Sequence, residues 1–157
     1  MFNHAPPNYL CPFCLLSAGT ENEHVHSRQH DIVLEHKSVL AFIASHWSEN
    51  NAGPVLVMPR LHYENIYDLP DDIGAKIFEV SKTIAIALKH AYGCHGVSIR
   101  QHNEPAGYQD VWHYHQHVIP RYDGDLLYPR YGHGRLTTPA ERLVYANKLR
   151  SALQQIV

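Results

Sequence analysis

Apolar residues fall in short β-type runs up to residue 70, in helical steps from there to 92, and in both patterns afterwards. Ile32–Leu34 and Val39–Ile43 are compact apolar runs separated by Glu35-His-Lys-Ser38, which predicts a hairpin. The turn-rich stretch Ser48–Gly53 leads into Pro54-Val-Leu-Val-Met-Pro59, a third strand bounded by prolines. Beyond a connection ending at Pro70, Ile73, Ile77, Val80, Ile84, Leu88 and Ala91 recur every three or four residues, with Phe78 widening the stripe. Asp71 and Asp72 supply capping and favourable charge at the start of this helix, and Gly93 sits at its C-cap. Val97–Gln101 reads as a strand and His102–Gln109 as a loop. Thr138, Pro139 and Glu141 occupy N-cap, N1 and N3 of a last helix whose apolar positions include Leu143, Val144, Leu149, Leu153 and Ile156. This order predicts an α+β fold: an antiparallel sheet of about five strands, one long helix packed on it, and a C-terminal helix.

The stretch Asp110–Arg121 carries a different signal, because His113, His115 and His117 alternate. On a strand all three imidazoles share one face, while Trp112, Tyr114, Gln116 and Val118 take the other. Imidazoles titrate near neutral pH and can donate, accept or attack, so such a face suits phosphate chemistry. It does not suit a three-His zinc site. Alternate residues are spaced about 6.5–7 Å apart, putting the outer two about 13 Å apart, whereas zinc ligands lie within about 2.1 Å of the metal. Cys11-Pro-Phe-Cys14 has the spacing that presents two thiolates to one zinc ion, but a tetrahedral site needs two more ligands. A redox pair lacks its usual βαβ surroundings here, and reduced bystander cysteines are the third reading. In the polar loop 17–30, His24, His26 and His30 read as solvated, and Cys94 reads as a buried small side chain.

Length and charge narrow the classes. The 157 residues suit one domain spanning 1–157, and the formal net charge of −2 argues against broad attachment to nucleic acid or an anionic membrane. No run approaches the ~18 apolar residues of a membrane span. The first ten residues lack a basic region followed by an apolar one, which, with an odd count of 3 cysteines, points to a cytoplasmic protein.

The triad stretch resembles the histidine triad (HIT) superfamily of nucleotide hydrolases and transferases. Its signature of alternating His and apolar positions, preceded by Ala-Gly-Gln-x-Val and followed by Pro-Arg, is filled by Ala106, Gly107, Gln109, Val111, His113, His115, His117, Val118, Ile119, Pro120 and Arg121. The resemblance extends to Cys11–Cys14, Leu40–Ile43 and Gly53–His62, covering a core of about residues 9–125 and leaving 126–157 as an extension. Three positions depart from the pattern: Pro54 replaces a frequent His, Tyr108 separates Gly107 from Gln109, and Gln116 is polar where an apolar residue is usual.

The resemblance implies a HIT-like fold and a hydrolase of nucleotide phosphoanhydrides or phosphoramidates, acting on a purine nucleotide or nucleotide conjugate. It makes His115 the nucleophile of a covalent nucleotidyl-histidine intermediate and His117 a donor to a non-bridging phosphate oxygen, with His113 completing the triad. Gln109 and the Gly107 backbone are further donors; Asn103 and Arg121 complete the substrate-binding expectation, and His102 is a bystander. It also implies a closed structural zinc site of Cys11, Cys14, His62 and His113, and a homodimer with joined sheets. A nucleotidyltransferase using the same intermediate, and a nucleotide-binding module with little turnover, are the alternatives.

Overall fold

A computed structural model describes residues 2–130 and 132–156. In chain order its elements are α1 (Pro12–Ser17), β1 (Ile32–Glu35), β2 (Val39–Ile43), β3 (His46–Ser48), β4 (Val55–Pro59), α2 (Asp71–Tyr92), β5 (Gly96–Gln101), β6 (Gln116–Arg121), β7 (Gly134–Leu136) and α3 (Pro139–Ile156). Five strands form one sheet in the order β1-β2-β4-β6-β5, with every neighbouring pair antiparallel. The α+β architecture and the hairpin at 36–38 match the hydrophobic pattern. A second ribbon, β3 with β7, does not follow from it. Each of those strands is 3 residues long, too short for a period to register, and β7 is exposed throughout.

Strands β2 and β4 are buried on both faces, and the alternation along them feeds two separate cores. Val39, Ala41, Ile43, Val55 and Val57 pack with α2 and α3. Leu40, Phe42, Leu56 and Met58 pack on the opposite face with Phe13 and Leu16 of α1 and with Val25. His113, His115 and His117 lie on this second face.

Helix α2 buries Ile77, Val80, Ile84 and Leu88 as its spacing requires, and Gly93 closes it at φ 63°, the left-handed conformation that spares a Cβ. Two details differ from the pattern. Phe78, one residue and about 100° around from Ile77, leaves the stripe and is 64% exposed. The N-cap is Pro70, which has no side-chain capping bond, so Asp71 and Asp72 contribute only first-turn charge.

Helix α3 starts as expected: the Glu141 N–H donates to Thr138 Oγ1 (3.2 Å) and the Thr138 N–H donates to Glu141 Oε2 (2.8 Å). Its buried face is rotated from the apolar pattern. Leu143 and Val144 are exposed, while Arg142 is buried beside Ala146, Leu149 and Leu153. The Arg142 guanidinium donates to Asp31 Oδ2 (2.8 Å) and to the carbonyls of Thr137 (2.6 Å) and His26 (2.8 Å). These three bonds let the charge be buried, and they tie α3 to the 26–31 segment. Gln116, polar at an apolar signature position, is explained by α2: its amide donates to the buried Ser81 hydroxyl at 2.8 Å.

Removing one member of a buried ion pair strands the other without water. Asp31→Ala is therefore expected to lower unfolding free energy by about 3–5 kcal/mol, measured as a shift of the urea midpoint at unchanged slope. A change below 1 kcal/mol would mean the pair is solvated.

Candidate active site and metal centre

Cys11 caps α1, its thiol accepting the Cys14 N–H at 3.4 Å, so a single helical turn aims both sulfurs the same way. Cys11 Sγ lies 3.3 Å and Cys14 Sγ 3.5 Å from Nδ1 of His113, and Cys14 Sγ lies 3.3 Å from Nδ1 of His62. All four donor atoms fall within 4.8 Å of one another. The edges of a tetrahedron with zinc–sulfur and zinc–nitrogen bonds are about 3.3–3.8 Å, so the set fits a zinc ion. The His113 Nε2–H donates to the Pro59 carbonyl at 2.9 Å, which leaves the Nδ1 lone pair facing the thiols. Burial holds His113 down at about 4, and burial followed by the neighbouring Cys11 pushes the Cys14 thiol up to about 12. A cation entering this site would displace the thiol protons and meet imidazole already neutral.

The triad is not one continuous strand. The His113 N–H turns back to the Val111 carbonyl (2.8 Å) and the Tyr114 N–H donates to Tyr63 (2.6 Å), so the chain joins the sheet only at Gln116. The expected alternation of faces survives this. Tyr114, Gln116 and Val118 point toward α2, while the three imidazoles face the α1 side. Nδ1 of His115 lies 2.8 Å from the His113 carbonyl. A carbonyl only accepts, so Nδ1 carries the proton and Nε2 presents its lone pair. The ring rests edge-on to Phe13, centroids 5.2 Å apart, with Asp110 Oδ1 at 3.8 Å from Nε2. The His117 ring follows at 5.0 Å from that of His115 and 5.7 Å from that of His102. Burial pushes both His115 and His117 down, so both are neutral near pH 7; for His117 the neighbouring His115, His102 and Arg100 add to the effect.

Two cavities meet at these imidazoles. One, about 340 Å³, has apolar walls of Phe13, Val25, Ala44, Leu56 and Val111 and ends at His115 and His117. The other, about 350 Å³, lies beyond His117, between Arg100, Trp47, Pro54, Ile119 and Leu127, with Tyr108 at its margin. His46, Asp110 and His117 border both. The first is an apolar slot closed by two neutral imidazoles, able to take a planar base and present a phosphoryl group to Nε2 of His115.

The four expected substrate-binding residues outside the triad are engaged within the protein. Gln109 is buried, donating to the carbonyls of Glu64 (2.5 Å) and Val111 (3.0 Å) and accepting from the Glu104 N–H (2.8 Å). Asn103 exchanges amide hydrogen bonds with Gln101 and accepts from the Ile66 N–H. The Gly107 N–H donates to Glu104, and its carbonyl accepts from His102. Arg121, at the far end of β6, is held by Asp125 (2.6 and 2.8 Å) and Ser98 (2.8 Å) and borders neither cavity. These residues brace the 101–112 loop and the end of β6. His24 and His26, expected to be solvated, are exposed but rim the first cavity.

Sequence reasoning missed Asp110, His46 and Arg100, and set His102 aside. Asp110 stood inside the triad stretch, so proximity was an available signal. His46 and Arg100 reach the site only through strand pairing, which no local pattern announces.

The HIT domain family matches residues 17–124, and the chain belongs to that histidine triad family. It is similar to the protein called "Protein hit" of Bacillus subtilis, 34% identical over 112 residues and 71% of each chain. A zinc-bound histidine triad family protein of Mycobacterium smegmatis superposes with a TM-score of 0.76 at 26% identity, over 94% of this chain and 95% of that one. Over shorter stretches the chain is similar to an adenylylsulfatase of Arabidopsis thaliana (30% over 76 residues; 48% of this chain, 39% of that one) and an adenosine 5′-monophosphoramidase of Saccharomyces cerevisiae (30% over 71; 45% and 42%). The matched family segment begins after Cys11 and Cys14, so half of the metal donor set is contributed from outside it.

The protein purified without chelator is expected to carry about one zinc per chain by elemental mass spectrometry, and Cys14→Ser to carry much less. Metal removal should lower the melting temperature by several degrees, since a closed site couples metal binding to folding. Full zinc content in Cys14→Ser would place the ion elsewhere.

Proposed function

We propose that the protein is a hydrolase that releases a nucleoside monophosphate from a phosphoanhydride or phosphoramidate through a covalent intermediate on His115. The observation that carries this reading is the hydrogen bond from His115 Nδ1–H to the His113 carbonyl, which leaves Nε2 as a neutral nucleophile at the inner end of an apolar slot. With the base in that slot, Nε2 attacks the α-phosphorus; a phosphorus–nitrogen bond forms and the bond to the leaving group breaks, its electron pair going to the departing oxygen or, in an amide, to the departing nitrogen, which takes a proton from solvent. Water then attacks phosphorus, its proton passes to solvent, and the electron pair of the phosphorus–nitrogen bond returns to Nε2. His117, rotated to donate, is the partner for a non-bridging oxygen as charge develops. Gln109, Gly107, Asn103 and Arg121 act in this reading by holding the surrounding backbone in place.

Zinc, held by Cys11, Cys14, His62 and His113, would leave no open position for water and would serve as a structural staple. The activities carried in the names of the plant and yeast relatives support the same substrate class. We further propose a homodimer joined along β5. That strand ends the sheet among the described residues and carries an exposed Ile99, and the neighbouring helix α2 exposes Phe78 and Ile86. Three free cysteines suit a reducing, cytoplasmic setting.

Brief incubation with an adenylate phosphoramidate should add one adenylyl mass to wild type and none to His115→Ala. Turnover is expected to fall by roughly 10⁴-fold or more in His115→Ala and by about 10²–10³-fold in His117→Ala. No adduct and no released nucleotide from folded, metal-loaded wild type would overturn the reading in favour of a binding module.

A further inference from the structure

The second cavity is the feature that this reading leaves unused. Arg100 of β5 stands directly opposite His117 of β6 in the antiparallel register, so the two side chains share one sheet face about 4.5–5.5 Å apart at Cβ. Ile119, two residues along β6, continues the same face, and Leu127, Gly132 and Gly134 close over it from the extension. Tyr128, in that same extension, lies under both guanidiniums, 5.2 Å from Arg100 and 4.7 Å from Arg121, and its hydroxyl meets Ser98 at 3.4 Å. Arg121 is held by Asp125, and Arg100 lines the cavity.

The position of this cavity relative to the nucleophile gives it a role. His115 borders only the first cavity, while His117, Asp110 and His46 stand at the junction of the two. An in-line displacement needs attacking and departing atoms on opposite sides of phosphorus. With phosphorus at the junction and Nε2 of His115 approaching from the first cavity, the departing group moves into the second.

We propose that the cavity around Arg100 is the leaving-group subsite and that Arg100 makes the enzyme prefer nucleotide anhydrides with an anionic leaving group over amides with a neutral one. The proposal rests on the hydrolase reading above. When the bridging phosphorus–oxygen bond breaks, its electron pair stays on the leaving phosphate, which departs as an anion without a proton. The Arg100 charge stabilises that anion beside the apolar side chains of Trp47, Ile119 and Leu127. An amine leaving group must instead take up a proton and gains nothing from a nearby cation. The cavity is about as large as the nucleoside slot, so a leaving group of nucleotide size fits this class.

The test compares two substrates with the same adenylyl half, diadenosine triphosphate and adenosine 5′-phosphoramidate, in wild type, Arg100→Gln and Arg100→Lys. Arg100→Gln should lower kcat/KM for the dinucleotide roughly 100-fold and for the amide less than about threefold, while Arg100→Lys retains most of the preference. The amide rate in each variant also reports that the triad is intact. Equal losses on both substrates, or none on either, would overturn the subsite while leaving the His115 mechanism standing. A folded, metal-loaded wild type that cleaves neither substrate would remove both.

Discussion

His113 holds this site together through three of its groups. Its Nε2 donates to the Pro59 carbonyl, its Nδ1 faces two cysteines brought from 99 and 102 residues away, and its own carbonyl receives the His115 ring proton. The first bond sets the tautomer that turns the Nδ1 lone pair of His113 toward the thiols, and the last sets the tautomer that leaves Nε2 of His115 unprotonated. The cysteine–histidine cluster and that nitrogen are therefore one mechanical unit. A displacement of α1 would move His113, and with it the lone pair of His115.

That unit is braced from both sides of the sheet. On the site's face, Phe13 of α1 packs against both His113 and His115, so the helix bearing the cysteines is also a wall of the first cavity. On the far face, α3 reaches around through Arg142 to hold Asp31 and the His26 carbonyl, fixing the segment that supplies Val25 to the slot. The extension beyond residue 125 is thus structural twice over. It anchors one cavity through a buried ion pair and roofs the other with Leu127, Gly132 and Gly134.

Departures from the family pattern are resolved by particular contacts. Gln116 is polar because Ser81 on α2 is there to accept its amide. Pro54, where a histidine is frequent, lines the second cavity, and His46 brings an imidazole to the junction from β3 instead. Tyr108 stands at φ 67° at the margin of the second cavity, in a loop whose neighbouring Gln109 is turned inward. The result keeps two neutral imidazoles between an apolar slot and a pocket that presents a fixed cation.

What the sequence determined by itself was everything governed by short-range period and local chemistry. The stripe of α2, the Gly93 stop, the Thr138–Glu141 box, the hairpin and the alternation of the triad all depend on residues within a few positions of each other, and all were legible. So, through resemblance to a family, was the ligand set Cys11, Cys14, His62 and His113. Where period alone was trusted it failed at Phe78, Leu143 and Val144, because a helix has more apolar positions than its partners can cover. Tertiary structure decided the rest: the strand that begins at Gln116 instead of before His113, the ion pair of Arg142 with Asp31, and the register that sets Arg100 against His117. These contacts join segments 17 to 111 residues apart. Their partners are chosen by chain closure and by the cost of leaving buried polar groups unpaired, and neither leaves a mark on the local pattern.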